Sequence, residues 1–133
     1  MSASPPKLLI VDDEPNVVAI LTHMVAHCGY EIRVAYDGDE AVAAAKDFHP
    51  DCVMTGIMMP RMDGVDEAKA ILEFLPDCKF VVVSSNSHMQ CFRDAFAALG
   101  VEERLLVEKP CTPKEIFDAL ELAGFPCNKR NSK

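Results

Sequence analysis

Short apolar runs alternate along the chain with longer segments whose apolar residues recur at helical spacing. Residues 7–11 begin with Lys7 and continue as an unbroken apolar run, which is typical of a strand buried on both faces of a sheet. From Pro15 onward the apolar residues lie three and four positions apart, which predicts an amphipathic helix that ends near Gly29. The same alternation continues to the end of the chain. It predicts further strands at 31–35, 52–55, 79–84 and 104–107, with helices after 39, after 64, from 87 and from 113.

This order is five successive strand–helix units, which predicts an α/β fold. Strands joined through helices lie parallel in one sheet, and the helices cover both of its faces. The chain has 133 residues, which is enough for one domain with short tails. We predict a disordered N-terminal tail over 1–6, a single domain over 7–124 and a C-terminal tail over 125–133.

The net charge of the chain limits the kinds of molecule that it is expected to bind. Lys and Arg number 13 against 21 Asp and Glu, so the net charge is −8. Nucleic acids and anionic membrane surfaces both call for a basic face, and we expect neither as a partner. No apolar run approaches the 18 residues of a membrane-spanning helix. The N-terminus lacks a charged-then-apolar signal pattern, so we expect a cytoplasmic protein.

Cysteine is frequent, but its spacing indicates no metal site. None of the six cysteines forms a CxxC pair, and no Cys/His spacing fits zinc. A domain with a normal core and no secretory signal does not call for disulfides. We therefore expect six reduced and mostly buried thiols: Cys28, Cys52, Cys78, Cys91, Cys111 and Cys127.

Polar side chains mark the carboxyl ends of the predicted strands, where α/β sheets place their functional crevice. Asp12 and Asp13 follow the first strand, Ser84 and Ser85 end the fourth, and Lys109 follows the fifth. At 4 Å, two carboxylates repel by roughly 4 kcal/mol in a medium of effective dielectric near 20. A Mg²⁺ ion would relieve that repulsion, and the hydroxyl and ammonium groups suit phosphoryl oxygens. The simpler alternative is that the two aspartates only cap the first helix.

Three segments in order resemble the response-regulator receiver domain, a family of two-component signalling. They are Lys-Leu-Leu-Ile-Val-Asp-Asp-Glu-Pro at 7–15, the segment from Pro50 to Gly64, and Glu-Lys-Pro at 108–110. The resemblance extends over residues 6–123. It implies a CheY-like, flavodoxin-like (βα)5 fold whose doubly wound sheet has the strand order 2-1-3-4-5.

The resemblance also implies a metal site. Asp12 and Asp13 match the acidic pair that holds Mg²⁺ in this family. Met58 matches the residue whose backbone carbonyl is a further ligand of the metal.

A second group matches the family's phosphoryl contacts and switch residues. Ser85 best matches the switch hydroxyl, with Ser84 as the alternative because the region before Lys109 is about two residues longer than usual. Lys109 matches the lysine that contacts the phosphoryl group, and the Lys109–Pro110 peptide would be cis. Leu106 stands where the family usually carries an aromatic residue that moves with the switch hydroxyl.

One departure changes the expected function. Gly56 stands where the family has its phosphoacceptor aspartate, and glycine has no side chain to accept a phosphoryl group. Thr55 should point to the opposite face, and Asp51 lies about 16 Å away along the strand, at about 3.3 Å per residue. If any residue substitutes, Asp12 or Asp13 is the better candidate. The glycine is equally compatible with a natural loss and with an engineered Asp→Gly change.

We therefore predict a stand-alone receiver that acts by protein contact and is not an enzyme. Its expected partners are a histidine kinase or phosphotransfer protein and a separate output protein at the fourth helix, fifth strand and fifth helix. The missing carboxylate makes Mg²⁺ binding weak or absent. The alternative is a Mg²⁺-dependent phosphotransferase or phosphatase that uses Asp12 or Asp13 as nucleophile. A flavodoxin-like cofactor binder would need a phosphate loop after the first strand, where the chain has Asp-Asp-Glu-Pro.

Overall fold

A computed structural model describes residues 4–127, apart from the side chain of residue 86. Five strands form one parallel sheet in the order β2-β1-β3-β4-β5, which confirms the predicted fold. The strands are β1 (Lys7–Val11), β2 (Glu31–Ala35), β3 (Cys52–Thr55), β4 (Lys79–Ser84) and β5 (Leu106–Glu108). The helices are α1 (Pro15–Val25), α2 (Gly38–Phe48), α3 (Gly64–Phe74), α4 (Asn86–Ala98) and α5 (Pro113–Leu122). No helix within the described residues is long and apolar enough to cross a membrane.

The central strands are the core of the molecule. Residues 8–11 of β1 and all of β3 are buried, as a strand between two helical layers must be. Helix α1 packs against α5, while α2, α3 and α4 pack in a row. Each helix therefore buries its apolar face against the sheet, and the carboxyl ends of the strands remain open at one edge.

Two elements differ from the predicted boundaries. Helix α4 begins at Asn86 and is capped by Ser85, whose Oγ accepts a hydrogen bond from the His88 amide at 3.5 Å. The helix therefore begins one residue earlier than the predicted residue 87, because the serine at the strand end already provides the cap. Strand β5 covers only Leu106–Glu108, since residues 103–105 form a short 3-10 turn.

The expectation of six reduced thiols is wrong for one pair. Cys28, just after α1, forms a disulfide with Cys127, across a sequence separation of 99 residues. Phe125 packs against the core, and its carbonyl accepts a hydrogen bond from the Tyr30 hydroxyl. Residues 125–127, predicted as part of the C-terminal tail, are therefore held against the domain. The rest of that tail, 128–133, lies outside the described residues, as do residues 1–3.

Candidate functional site

The carboxyl ends of β1, β3, β4 and β5 enclose an open cavity of about 430 Å³. The fold places these ends side by side because all the strands run in the same direction. Most of the residues singled out at the strand ends therefore meet, as predicted. The cavity is lined by Asp12, Asp13, Glu14, Gly56, Ile57, Met58, Ser84, Ser85, His88 and Lys109.

Asp12 is the buried acid of this cavity, with 3% of its surface exposed. Its Oδ1 accepts a hydrogen bond from the backbone amide of Glu14 at 3.0 Å. Its Oδ2 accepts one from the Lys109 ammonium at 3.1 Å. Both oxygens of this carboxylate therefore have partners, and its charge is balanced by the lysine.

Asp13 and Met58 lie at the mouth of the cavity. Asp13 is exposed, and partial burial together with the negative charge of Asp12 raises the pKa of its carboxyl group. Met58 follows β3 in the loop before α3, and 49% of its surface is exposed. The predicted acidic pair thus consists of one buried, lysine-bound carboxylate and one exposed carboxylate.

The two serines at the end of β4 differ in their surroundings. Ser84 is buried, and its Oγ lies 3.4 Å from Nδ1 of His88. The Oγ of Ser85 is partly exposed, caps α4 and lies 3.3 Å from the hydroxyl of Ser87. The hydroxyl that points to other cavity groups is therefore that of Ser84, whereas the Ser85 hydroxyl is engaged by the helix.

Lys109 is positioned by the sheet. Its backbone amide donates to the carbonyl of Ser84 at 2.8 Å, and the Lys109–Pro110 peptide is cis, as predicted. Leu106, three residues earlier, pairs with Val82 in the sheet and lies in a separate depression beside α5. The structure therefore brings Lys109 into the cavity but leaves Leu106 outside it.

Gly56 forms the floor of the cavity directly after β3. Its amide donates to the carbonyl of Val11 at 3.1 Å, which continues the sheet. A Cβ atom at this position would lie 3.2 Å from Oδ2 of Asp12, the oxygen that binds Lys109. The Asp12–Lys109 ion pair thus lies against the place that a side chain of residue 56 would occupy.

The sequence of the described domain matches one family over almost its whole length. The profile described as "Response regulator receiver domain" matches residues 8–121. This chain belongs to the response-regulator receiver family. The chemotaxis protein CheY of Thermotoga maritima is 33% identical over 115 residues, which are 86% of this chain and 93% of CheY.

Receiver domains of known structure have the same fold. Chemotaxis protein CheY4 of Vibrio cholerae matches with a TM-score of 0.80 at 24% identity, over 90% of this chain and 98% of that one. A chain of the CheX–CheY–BeF3–Mg²⁺ complex of Borrelia burgdorferi matches with a TM-score of 0.78 at 29% identity, over 89% of each chain. Several other curated relatives are transcriptional regulators, and the matched segment spans less than half of their length.

Two features of this receiver were missed at the level of the sequence. His88 joins the cavity because the first turn of α4 places it beside Ser84, four residues earlier. Glu67, which the sequence analysis did not single out, is fully buried and hydrogen-bonded to Thr55. Glu67 lies three residues after Gly64 and four before Ile71, so it is on the same buried face of α3 as these two residues. This helical spacing was the signal in the sequence that could have indicated its burial.

Proposed function

We propose that this chain is a stand-alone receiver that works by protein contact and without phosphorylation of residue 56. The observation that carries the proposal is the 3.1 Å bond between Lys109 and Asp12 across the floor formed by Gly56. In the family resemblance, this lysine contacts the phosphoryl group and residue 56 is the phosphoacceptor. Here the lysine is already neutralised by a neighbouring acid, and the residue at the acceptor position has no carboxylate.

The donor set does not fit Mg²⁺ well. Receiver domains generally bind this ion, and it takes one or two protein carboxylates with several waters. Asp12 already has the Lys109 ammonium as its cation, and the carboxylates of Asp13 and Glu14 line the mouth of the cavity. No group of three or more His, Cys, Asp and Glu side chains able to hold a metal occurs within residues 4–127. We therefore assign Mg²⁺ no step in the function of this chain.

For the switch hydroxyl, we favour Ser84 over Ser85. Ser84 is buried in the cavity, and its backbone carbonyl binds the amide of Lys109. Ser85 is used as the cap of α4. Leu106 is, after Gly56, the second position that departs from the family. The aromatic residue usual there can expose or bury a ring with a polar tip, and an aliphatic side chain cannot.

The proposed partners are proteins. Signalling through a receiver implies a histidine kinase or phosphotransfer protein as the upstream partner. The downstream partner would bind the surface of α4, β5 and α5, where Leu122 is 48% exposed beside Glu115 and Asp118. The net charge of −8 disfavours nucleic acid and anionic membranes as direct partners.

We further propose a cytoplasmic location, where such kinases deliver their signal. Fractionation of cells that produce the protein tests this location. We expect the chain in the cytoplasmic fraction, and its recovery in an exported or membrane fraction would contradict the proposal.

Intact mass after incubation with Mg²⁺ and acetyl phosphate tests the proposed function. We expect no mass gain for the native chain and a gain of one phosphoryl group for Gly56→Asp. The new carboxylate would stand beside Lys109, and Asp12 needs to move only a few tenths of an ångström to admit its Cβ. Gly56→Asn is the matched control, because it has the same shape without a nucleophilic carboxylate.

Two outcomes would contradict the proposal. Phosphorylation of the native chain would show a substitute acceptor and would favour the alternative, a phosphotransferase or phosphatase that uses Asp12 or Asp13. Failure of Gly56→Asp to gain a phosphoryl group would show that Gly56 alone does not silence the cavity. Fragment mass spectra of any phosphorylated protein distinguish the positions.

A further inference from the structure

Helix α3 carries a carboxyl group into the core, directly beneath the candidate site. Glu67 is 0% exposed and Thr55, on β3, is 1% exposed. The Thr55 Oγ1 lies 2.6 Å from Oε1 of Glu67 and 3.1 Å from the carbonyl oxygen of Gly56. A buried polar pair therefore connects α3 to the residue at the floor of the cavity.

The number of protons available for these two hydrogen bonds indicates whether Glu67 is charged or neutral. A threonine hydroxyl has one proton to donate but faces two acceptor oxygens here. If Glu67 were ionised, one of these oxygens would lack a hydrogen. If Glu67 is neutral, its carboxyl proton goes to Thr55 and the Thr55 proton goes to Gly56, so both contacts are made. The geometry is therefore that of a neutral carboxylic acid.

The charges around Glu67 agree with this state. Among the described residues, the groups that act on Glu67 are the carboxyl group of Asp63, at the cap of α3, and the hydroxyl of Thr55 on β3. The charge of Glu67 in turn acts on the Cys78 thiol, just before β4. None of these is a cation. Within residues 4–127, Oε2 of Glu67 has no hydrogen-bond partner, which is costly for a carboxylate and much less so for a neutral acid. Burial raises the pKa of Glu67 to about 8.

The Gly56 carbonyl links this pair to the loop that lines the cavity. The start of α3 packs so closely on it that a Cβ on Gly64 would lie 2.2 Å from the carbonyl oxygen. The Gly64 amide donates to the carbonyl of Ile57 at 2.7 Å, and this closes the loop of residues 57–63. A change at the Gly56 carbonyl therefore acts on both ends of that loop.

We propose that Glu67 and Thr55 form a proton-operated switch that sets the packing of α3 and the 57–63 loop against the floor of the cavity. With the proton bound, Thr55 donates to Gly56 and the loop is closed. When the proton leaves, the Thr55 hydroxyl turns to the Glu67 carboxylate, the Gly56 carbonyl loses its hydrogen bond, and water must reach the buried charge. The loop opens as a result. The input to this site is a proton, and the switch requires no phosphoryl group.

Amide and carboxyl NMR over pH 5 to 9.5 tests the switch. We expect the Ile57 and Gly64 amide signals and the Glu67 carboxyl carbon to follow one shared titration centred near pH 8. In Glu67→Gln, an uncharged side chain of the same shape, the amide titration should disappear. Thr55→Val should leave the titration of Glu67 but uncouple the Ile57 signal from it.

Three results would overturn the proposal. One is a Glu67 carboxyl carbon that titrates near pH 4.5, as an ordinary glutamate does. Another is an Ile57 titration that persists in Glu67→Gln, which would assign it to a group other than Glu67. The third is a titration of Glu67 that leaves Ile57 and Gly64 unmoved. The carboxyl measurement uses the native chain and therefore decides the question even if a variant does not fold.

Discussion

Changing Cys127 to serine is expected to lower the free energy of unfolding by about 4 to 5 kcal/mol. The disulfide to Cys28 closes a loop of almost the whole domain, with a sequence separation of 99 residues. A cross-link over so long a loop removes much of the conformational freedom of the unfolded chain, and this loss stabilises the folded state. The same change also frees the segment whose Phe125 carbonyl binds Tyr30.

Urea unfolding without reductant measures this effect. Cys91→Ser is the matched control, because Cys91 is an exposed free thiol and its loss should change the unfolding free energy by less than about 0.5 kcal/mol. Added dithiothreitol should lower the stability of the native chain to that of Cys127→Ser and leave the variant unchanged. A loss below about 1 kcal/mol, or six titratable thiols in the air-oxidised protein, would contradict the disulfide.

Raising the pH from about 5 to 8 is expected to destabilise the native chain through Glu67. The pKa of this group is about 8 in the folded protein and 4.5 in its ordinary state. Between these values the folded protein keeps a proton that the unfolded chain has lost, so unfolding becomes easier as the pH rises. The stabilisation is complete below pH 4.5 and is lost as the pH rises through 8. Each pH unit within this window costs about 1.4 kcal/mol, on the order of 4 to 5 kcal/mol in total.

Thermal and urea unfolding of the native chain and of the Glu67→Gln variant at several pH values measures the contribution of Glu67 to stability. The difference between the two proteins removes the contributions of the other titratable groups. We expect the native chain to lose stability relative to Glu67→Gln from pH 5 to 8 and to change little beyond pH 9. A difference that is flat across this range, or that grows in favour of the native chain, would show that Glu67 is ionised in the folded state.

The fold could be predicted because each element carries its own local signal. The short apolar run at 8–11 is typical of a strand covered on both faces, and the spacing after Pro15 is typical of a helix. Parallel strands then place Asp12, Ser84 and Lys109 at one edge without further information. The cis peptide before Pro110 followed from the resemblance to the receiver family and is present.

The features that could not be predicted depend on contacts between residues that are far apart in the sequence. Cys28 and Cys127 are far apart in sequence, and only the packing of the chain end beside α1 brings them within 4.4 Å at their Cα atoms. Glu67 looks like a solvated helix residue until it is known which face of α3 packs against the core. The choice between Ser84 and Ser85 depends on which serine caps α4, and a shift of one residue in the start of the helix exchanges their roles.

The Asp12–Lys109 bond explains how the cavity tolerates the loss of a carboxylate. A buried carboxylate without a partner would lower the stability of the folded protein by several kcal/mol. Lys109 has no carboxylate at position 56 to bind, and it is the partner of Asp12 instead. Lys109→Met should therefore leave the buried Asp12 carboxylate without its cation and destabilise the folded protein. The ion pair balances the charge of the buried carboxylate, and the proposed independence from metal and phosphate rests on it.

The most direct test of this account is the amide NMR spectrum of the native chain titrated with Mg²⁺ and then with beryllofluoride, which mimics a phosphoryl group on a carboxylate. We predict that the signals of Ser84, Gly56 and Lys109 do not move in a saturable manner. The same titration of Gly56→Asp should move all three. Saturable shifts of these signals in the native chain would contradict the central claim, because they would show that the cavity recognises a phosphoryl group without an acid at position 56.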